Sequence, residues 1–268
     1  MAYLALMSDD SMKDRTGDGS EAPLDPLKAV RNQTKPALPK RFYKEAGFAA
    51  GEGGYRLTLD GRPANTPARS PLQVPSADLA AILAAEWEAQ GAEIDPATMP
   101  VTRLVNTTLD GVAPRREAVV EDLAAYAGTD LLAYRAEGPD RLVSAQAAAW
   151  DPVLDWAREA LGVRPILSEG VMHVAQPAES VAALRRAIEA VESPFGLAAL
   201  HTMTTLTGSL ILALAVLRGR LDPAEAWAAA HVDETYQAEA WGHDAEAEER
   251  LAKRRAEFEA AATVAALA

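Results

Sequence analysis

The sequence predicts an α+β fold: a small N-terminal β-containing domain followed by a larger all-α C-terminal domain. Three observations lead there. Tyr55, Leu57 and Leu59 alternate and then close on Asp60-Gly61, a strand running into a hairpin turn. From Val101 onward almost every stretch carries helical spacing of its apolar residues. Strands therefore come first and helices after, rather than in alternation.

Composition bounds the function. A chain of 268 residues, 49% hydrophobic and 24% charged, is a globular protein long enough to bury a core. A net charge of −13 argues against nucleic acid, whose phosphates need a basic stripe, and against an anionic membrane surface. The chain has no cysteine, which excludes disulfides, thiolate zinc sites and cysteine nucleophiles. The opening "MAYLALMSDD" lacks the basic start and long apolar run of a secretory signal. The expectation is a bacterial cytoplasmic protein, or one of the mitochondrial matrix if the source is eukaryotic.

Residues 1–39 are polar without a sustained period, and a disordered or loosely docked arm is expected there. Order begins at "KRFYK", residues 40–44. The glycines of "GEGG" (Gly51, Gly53, Gly54) precede a strand. A phosphate-cradling loop needs strand, glycines and helix in that order, so these are turn glycines. "SADLAAILAAEWEAQG" is a helix capped by Ser76 with Gly91 just past its end. "IDPATMPVTRL" reads as extended, punctuated by Pro96 and Pro100. The helices "REAVVEDLAAYAG" and "SAQAAAWDPVLDWAREALG" should end at Gly128 and Gly162. "VRPILSEGVMHVAQP" is a strand pair or a loop, and "AESVAALRRAIEAV" is an amphipathic helix. These readings divide the chain into an N-terminal domain over 40–118 and a helical domain over 119–268.

Residues 195–217 contain no Asp, Glu, Lys or Arg and are long enough to span a bilayer. Their first half, however, carries His201, four threonines, Gly208 and Ser209. A helix that is apolar all round also suits the centre of a helical domain, so no membrane insertion is expected. Ser193 and Pro194 start it as N-cap and first-turn proline.

The closing stretch is the most crowded. Asp222-Pro223-Ala224-Glu225 is a capping box, and its helix should run to Trp241 and stop at Gly242. At 100° per residue, Trp227, His231, Glu234 and Trp241 share one stripe. Glu234 then sits where a core-facing helix places an apolar residue, and calls for a partner such as a buried Arg218 or Arg220. Asp233, Gln237 and Glu239 spread over the other faces. Beyond Gly242, Asp244 caps a second helix, with Glu246–Arg250 and Glu249–Lys253 as favourable i,i+4 pairs.

Chemistry is sparse. His231 and Glu234 form a helical pair of the kind di-iron bundles use, but no second such unit exists among His173, His201, His231 and His243. No metal site and no cofactor are expected. A nucleophile elbow is absent; Ser209 lies in an apolar helix, bonding the preceding turn, and His201 reads as a satisfied core histidine. No catalytic constellation emerges, so no enzyme is expected.

The segments "KRFYK", "LDGRPANTP", "LAAEWEAQG", "IDPATMPVTRLVNT", "GTDLLAYRAEGP" and "DETYQAEAWGHDAEA" occur in this order. Together they resemble the ATP synthase assembly factor 2 family, over residues 40–250. The resemblance implies a two-part fold, no enzymatic activity, and a chaperone that binds the unassembled ATP synthase α subunit until the β subunit replaces it; a monomer is expected. It also implies that an acidic residue of the C-terminal helical segment matters for function. Glu234, Gln237, Trp241, Gly242, Asp244 and Glu246 lie on the matching motif, with Asp233 and Tyr236 beside them. Glu234 is the first candidate; Asp233 and Glu239 are rivals. Two other readings stay open: an enzyme using a metal or small molecule at His231 and Glu234, or a helical scaffold for another partner.

Overall fold

The computed structural model describes residues 38–170, 172–242 and 244–268. The arm expected over residues 1–39 falls outside the described residues as far as residue 37, and so does His243.

Arg41 organises the start of the fold. Its guanidinium donates to the carbonyls of Lys44 (2.8 Å), Glu88 (3.0 Å) and Gln90 (2.5 Å). It thereby ties "KRFYK" to the end of helix α1 (Ala77–Glu88), where unmet carbonyls favour a cation. Ser76 caps the other end, accepting from Leu79 N–H. Strands β1 (Ala46–Gly51) and β2 (Gly54–Leu59) pair antiparallel with Phe48 opposite Leu57. Strands β3 (Arg62–Pro63) and β4 (Gln73–Val74) also pair with β2. The β2–β3 turn is the predicted one: Asp60 and Gly61 have φ of 49° and 73°. A Cβ on Gly54 would stand 2.4 Å from the Val74 carbonyl oxygen, so only glycine lets β4 come this close. Leu57, Leu72 and Val74 are buried with Leu79 and Leu83 of α1 in one core.

The segment expected to be extended instead forms a tight turn, Pro96–Thr98, and helix α2 (Pro100–Thr107). A proline in the first turn starts a helix as readily as it interrupts one. The helix start is also capped from outside: Glu86 accepts from Val101 N–H (2.8 Å), Thr102 N–H (2.7 Å) and the Thr102 hydroxyl (2.7 Å). Burial still holds the Glu86 carboxyl above the ordinary range, against those donors.

The rest is helical: α3 (Arg116–Tyr126), α4 (Asp140–Leu161), α5 (Ala178–Glu189), α6 (Pro194–Thr207), α7 (Leu210–Leu217), α8 (Pro223–Ala230), α9 (Val232–Trp241) and α10 (Ala245–Leu267). α4 ends at Gly162 with φ 74°, as predicted. The stretch after it does not pair with itself: Ser168–Glu169 forms a short strand, β6, parallel to β5 (Tyr134–Arg135) from before α4, and the rest of its described residues form a loop.

The long uncharged stretch is two helices, broken at Gly208 with φ 70°. Ser209 is therefore not mid-helix. It caps α7, accepting from Leu212 N–H (3.0 Å) and donating to Asp130 (2.8 Å). Asp130 is buried and also accepts from Ile211 N–H (3.0 Å) and Leu132 N–H (3.1 Å). Nor is His201 a core residue: its Nε2 lies 2.7 Å from Asp122 in a partly exposed pair. Among the described residues no helix is long and apolar enough to cross a membrane.

α10 packs along α6 and returns to the N-terminal elements. Arg103 of α2 meets Glu257 at 2.8 Å, and the Ser76 hydroxyl donates to Leu267 at 2.5 Å. Buried side chains from Leu57 to Val264 form one cluster.

Candidate functional site

Asp222 opens α8 as predicted, with the reciprocal bond from its own N–H to Glu225 at 3.1 Å. The helix does not continue to Trp241. It breaks at His231, where φ is −120°. Two buried side chains intercept the carbonyls that would carry it on. His231 Nδ1–H donates to Trp227 O at 2.8 Å, taking the acceptor its own backbone N–H would use, and that N–H turns to Ala228 O instead. Since a carbonyl only accepts, Nδ1 must carry the proton. Trp150 Nε1–H takes Ala229 O at 2.7 Å.

The break splits the predicted stripe. Trp227 and His231 are buried and stacked 3.9 Å apart, with Trp227 5.4 Å from Phe258. Beyond the break Glu234 is exposed and Trp241 is 88% exposed. Glu234 is thus not a core-facing carboxylate, and it pairs with neither Arg218 nor Arg220. Among the described residues it makes no ion pair at all.

Helix α9 has no fully buried residue and is held on α4 by polar contacts. Gln146 Nε2–H donates to Asp233 at 2.7 Å, and Arg141 meets Glu239 at 2.5 Å while lying 5.9 Å from the Tyr236 ring. This leaves Glu234, Gln237 and Trp241 on the opposite side, across a concavity of about 490 Å³ from α10. Its apolar floor includes Ala238, Ala247 and Leu251, and Arg254 stands on its wall. Arg254 also donates to Leu206 O at 2.8 Å. Gly242 makes the turn between the helices with φ 95°, a value L side chains rarely adopt.

The eight predicted residues therefore separate. Glu234, Gln237, Trp241, Gly242 and Asp244 line one concavity. Asp233 and Tyr236 face α4, and Glu246 is paired with Arg250 at 2.7 Å. Asp244 spends its carboxylate on capping α10, accepting from Glu246 N–H at 2.9 Å. Gln146, Arg141, Leu251 and Arg254 were not foreseen, because nothing local marks them. Asp233 and Glu239, the two rivals to Glu234, are held by Gln146 and Arg141 respectively. Among the described residues no three His, Asp or Glu side chains stand together as a metal site. An apolar floor, an exposed tryptophan and a rim of both charges make a surface suited to another protein.

The family model of the ATP12 chaperone protein matches residues 40–158 of the chain, stopping short of α9. The mitochondrial protein atp12 of Schizosaccharomyces pombe is 25% identical over 215 residues, 76% of this chain and 74% of that protein. The crystal structure of Atp12 from Paracoccus denitrificans is 44% identical and superposes with a TM-score of 0.79, covering 85% of this chain and 98% of that one. The structure of Atu1473 from Agrobacterium tumefaciens is 50% identical with a TM-score of 0.82, covering 92% of each chain.

Proposed function

The chain belongs to the ATP12 chaperone family, and from that premise we propose that it binds the unassembled ATP synthase α subunit through the α9–α10 concavity. It shields the assembly surface of that client until the β subunit takes its place. It does so as a monomer, without catalysing a reaction, in the bacterial cytoplasm or the mitochondrial matrix. The observation that carries this reading is Trp241, 88% exposed beside an apolar floor and a carboxylate that makes no ion pair among the described residues. Exposed apolar patches rimmed by charge mark interaction sites, and tryptophan is a preferred anchor in them.

Glu234 is the acid that pairs with an Arg or Lys of the client. The two rivals are engaged elsewhere, Asp233 by Gln146 and Glu239 by Arg141, and Glu246 is paired with Arg250. A rim charge of this kind sets register and association rate.

Co-purification of the tagged chain with α subunit, using β subunit as control, is the direct test. The unsubstituted chain should retain α and not β. Glu234→Lys and Trp241→Ala should fold normally and lose α. Full retention by both folded variants, or no recovery of unassembled α by the parent, would overturn the reading.

A further inference from the structure

The open edge of β1 is a second surface that the closing helices do not account for. Leu57, in the middle of β2, donates its N–H to Leu72 O (3.1 Å) and its carbonyl accepts from Ala64 N–H (2.9 Å). Both of its backbone groups thus face β3 and β4. Phe48 stands opposite Leu57, and in an antiparallel ladder the partner of such a residue turns both its groups away as well. With a period of two, Ala46 and Ala50 do the same. The Ala46 N–H is taken by the Glu88 carboxylate at 2.7 Å. The outward N–H and C=O of Phe48 and Ala50 have no partner among the described residues.

Proteins usually blunt such an edge with lysine, proline, a bulge or an inward charge. β1 reads Ala-Gly-Phe-Ala-Ala-Gly and holds regular register with β2 over all six residues, so it has none of these. Phe48 shares a face of the sheet with its opposite, the buried Leu57, yet it is 40% exposed and touches Tyr55 edge-on at 6.1 Å. The apolar face of the sheet therefore reaches its last strand, where Phe48 is left part-exposed among the described residues.

We propose that β1 is a strand-addition site: an extended, uncharged segment of a client protein pairs with the backbone of Phe48 and Ala50 and seats an apolar side chain on the Phe48 ring. Glu88 closes the Ala46 end, so the pairing runs toward Gly51. An uncharged segment fits because β1 offers no counter-charge between its first and last residues. Backbone pairing supplies affinity with little demand on sequence, which suits holding a chain that is not yet assembled. The site rests on the preceding reading for one thing only, the identity of the client as the unassembled α subunit.

The test is amide hydrogen exchange on the isotope-labelled chain, free and saturated with unlabelled α subunit. The Phe48 and Ala50 amides should exchange roughly tenfold slower in the complex. Ala50→Pro removes an outward N–H that the β1–β2 ladder does not use, a position where an edge tolerates proline. It should keep the parent's circular dichroism and bind α roughly two- to tenfold more weakly, the worth of one backbone hydrogen bond. Unchanged exchange at both amides in the saturated complex overturns the proposal and leaves the Trp241 site standing. The exchange result decides by itself if the proline variant does not fold. Failure of the parent to bind α overturns both readings.

Discussion

Gln146, buried in α4, donates its Nε2–H to the Asp233 carboxylate at 2.7 Å and accepts from Ala136 N–H at 2.8 Å with its other end. One amide thus joins three segments, and it makes two neighbouring acids of α9 unequal. Asp233 holds the helix against α4. Glu234, one residue on and about 100° round the axis, is left facing solvent.

Asp233→Ala should leave the Gln146 donor unmet and cost about 1–3 kcal/mol, read as a lower urea midpoint. Glu234→Ala should stay within about 0.5 kcal/mol of the parent. Client binding should fall in both, through loss of position in the first and loss of contact in the second. Equal stability losses in the two variants would contradict this division.

His231→Leu should let the backbone N–H of residue 231 return to Trp227 O, removing one of the two interruptions between α8 and α9. The variant also loses the ring stacked 3.9 Å from Trp227. The expected outcome is a folded protein with α9 re-aimed and weaker binding of the α subunit. Backbone chemical shifts across residues 228–234 would show it; shifts matching the parent there would count against the account of the break.

Asp130 carries a pH dependence with a definite sign. Burial, opposed by donors from Ile211, Ser209 and Leu132, pushes its carboxyl up to about 6, from 3.8. Between those values the folded form keeps a proton that the unfolded chain has released, so this group adds stability as pH falls and loses it as pH rises through about 6. Asp60, Glu88, Asp110 and Glu121 are held below the ordinary range and act in the opposite sense. The effect is therefore read against Asp130→Asn. From about pH 7 to about pH 4.5 the parent should gain roughly 2 kcal/mol on that variant in urea unfolding. A difference that does not move with pH would refute it.

Much of the fold is legible in short stretches. The Asp60-Gly61 turn, the caps at Ser76, Ser193, Asp222 and Asp244, and the end of α4 at Gly162 all form as expected. The closing stretch reads less well: the helix expected to run to Trp241 breaks at His231, and Glu234, expected on a core-facing stripe, is exposed. Pro100 shows where such reading slips, because the same residue opens a helix when Glu86, 15 residues away or more, caps it from outside.

Caps, turns and i,i+4 pairs join groups within about four residues, so the order of amino acids alone places them. The shape of the candidate site was decided at long range. The break at His231 needs Trp150, 79 residues before the carbonyl it takes, and the docking of α9 needs Gln146, 87 residues before Asp233. The open edge of β1 likewise exists only because β3 and β4 both pair on the far side of β2. No local pattern carries such pairings, since the donors meet their acceptors only after the core has brought the helices and strands together.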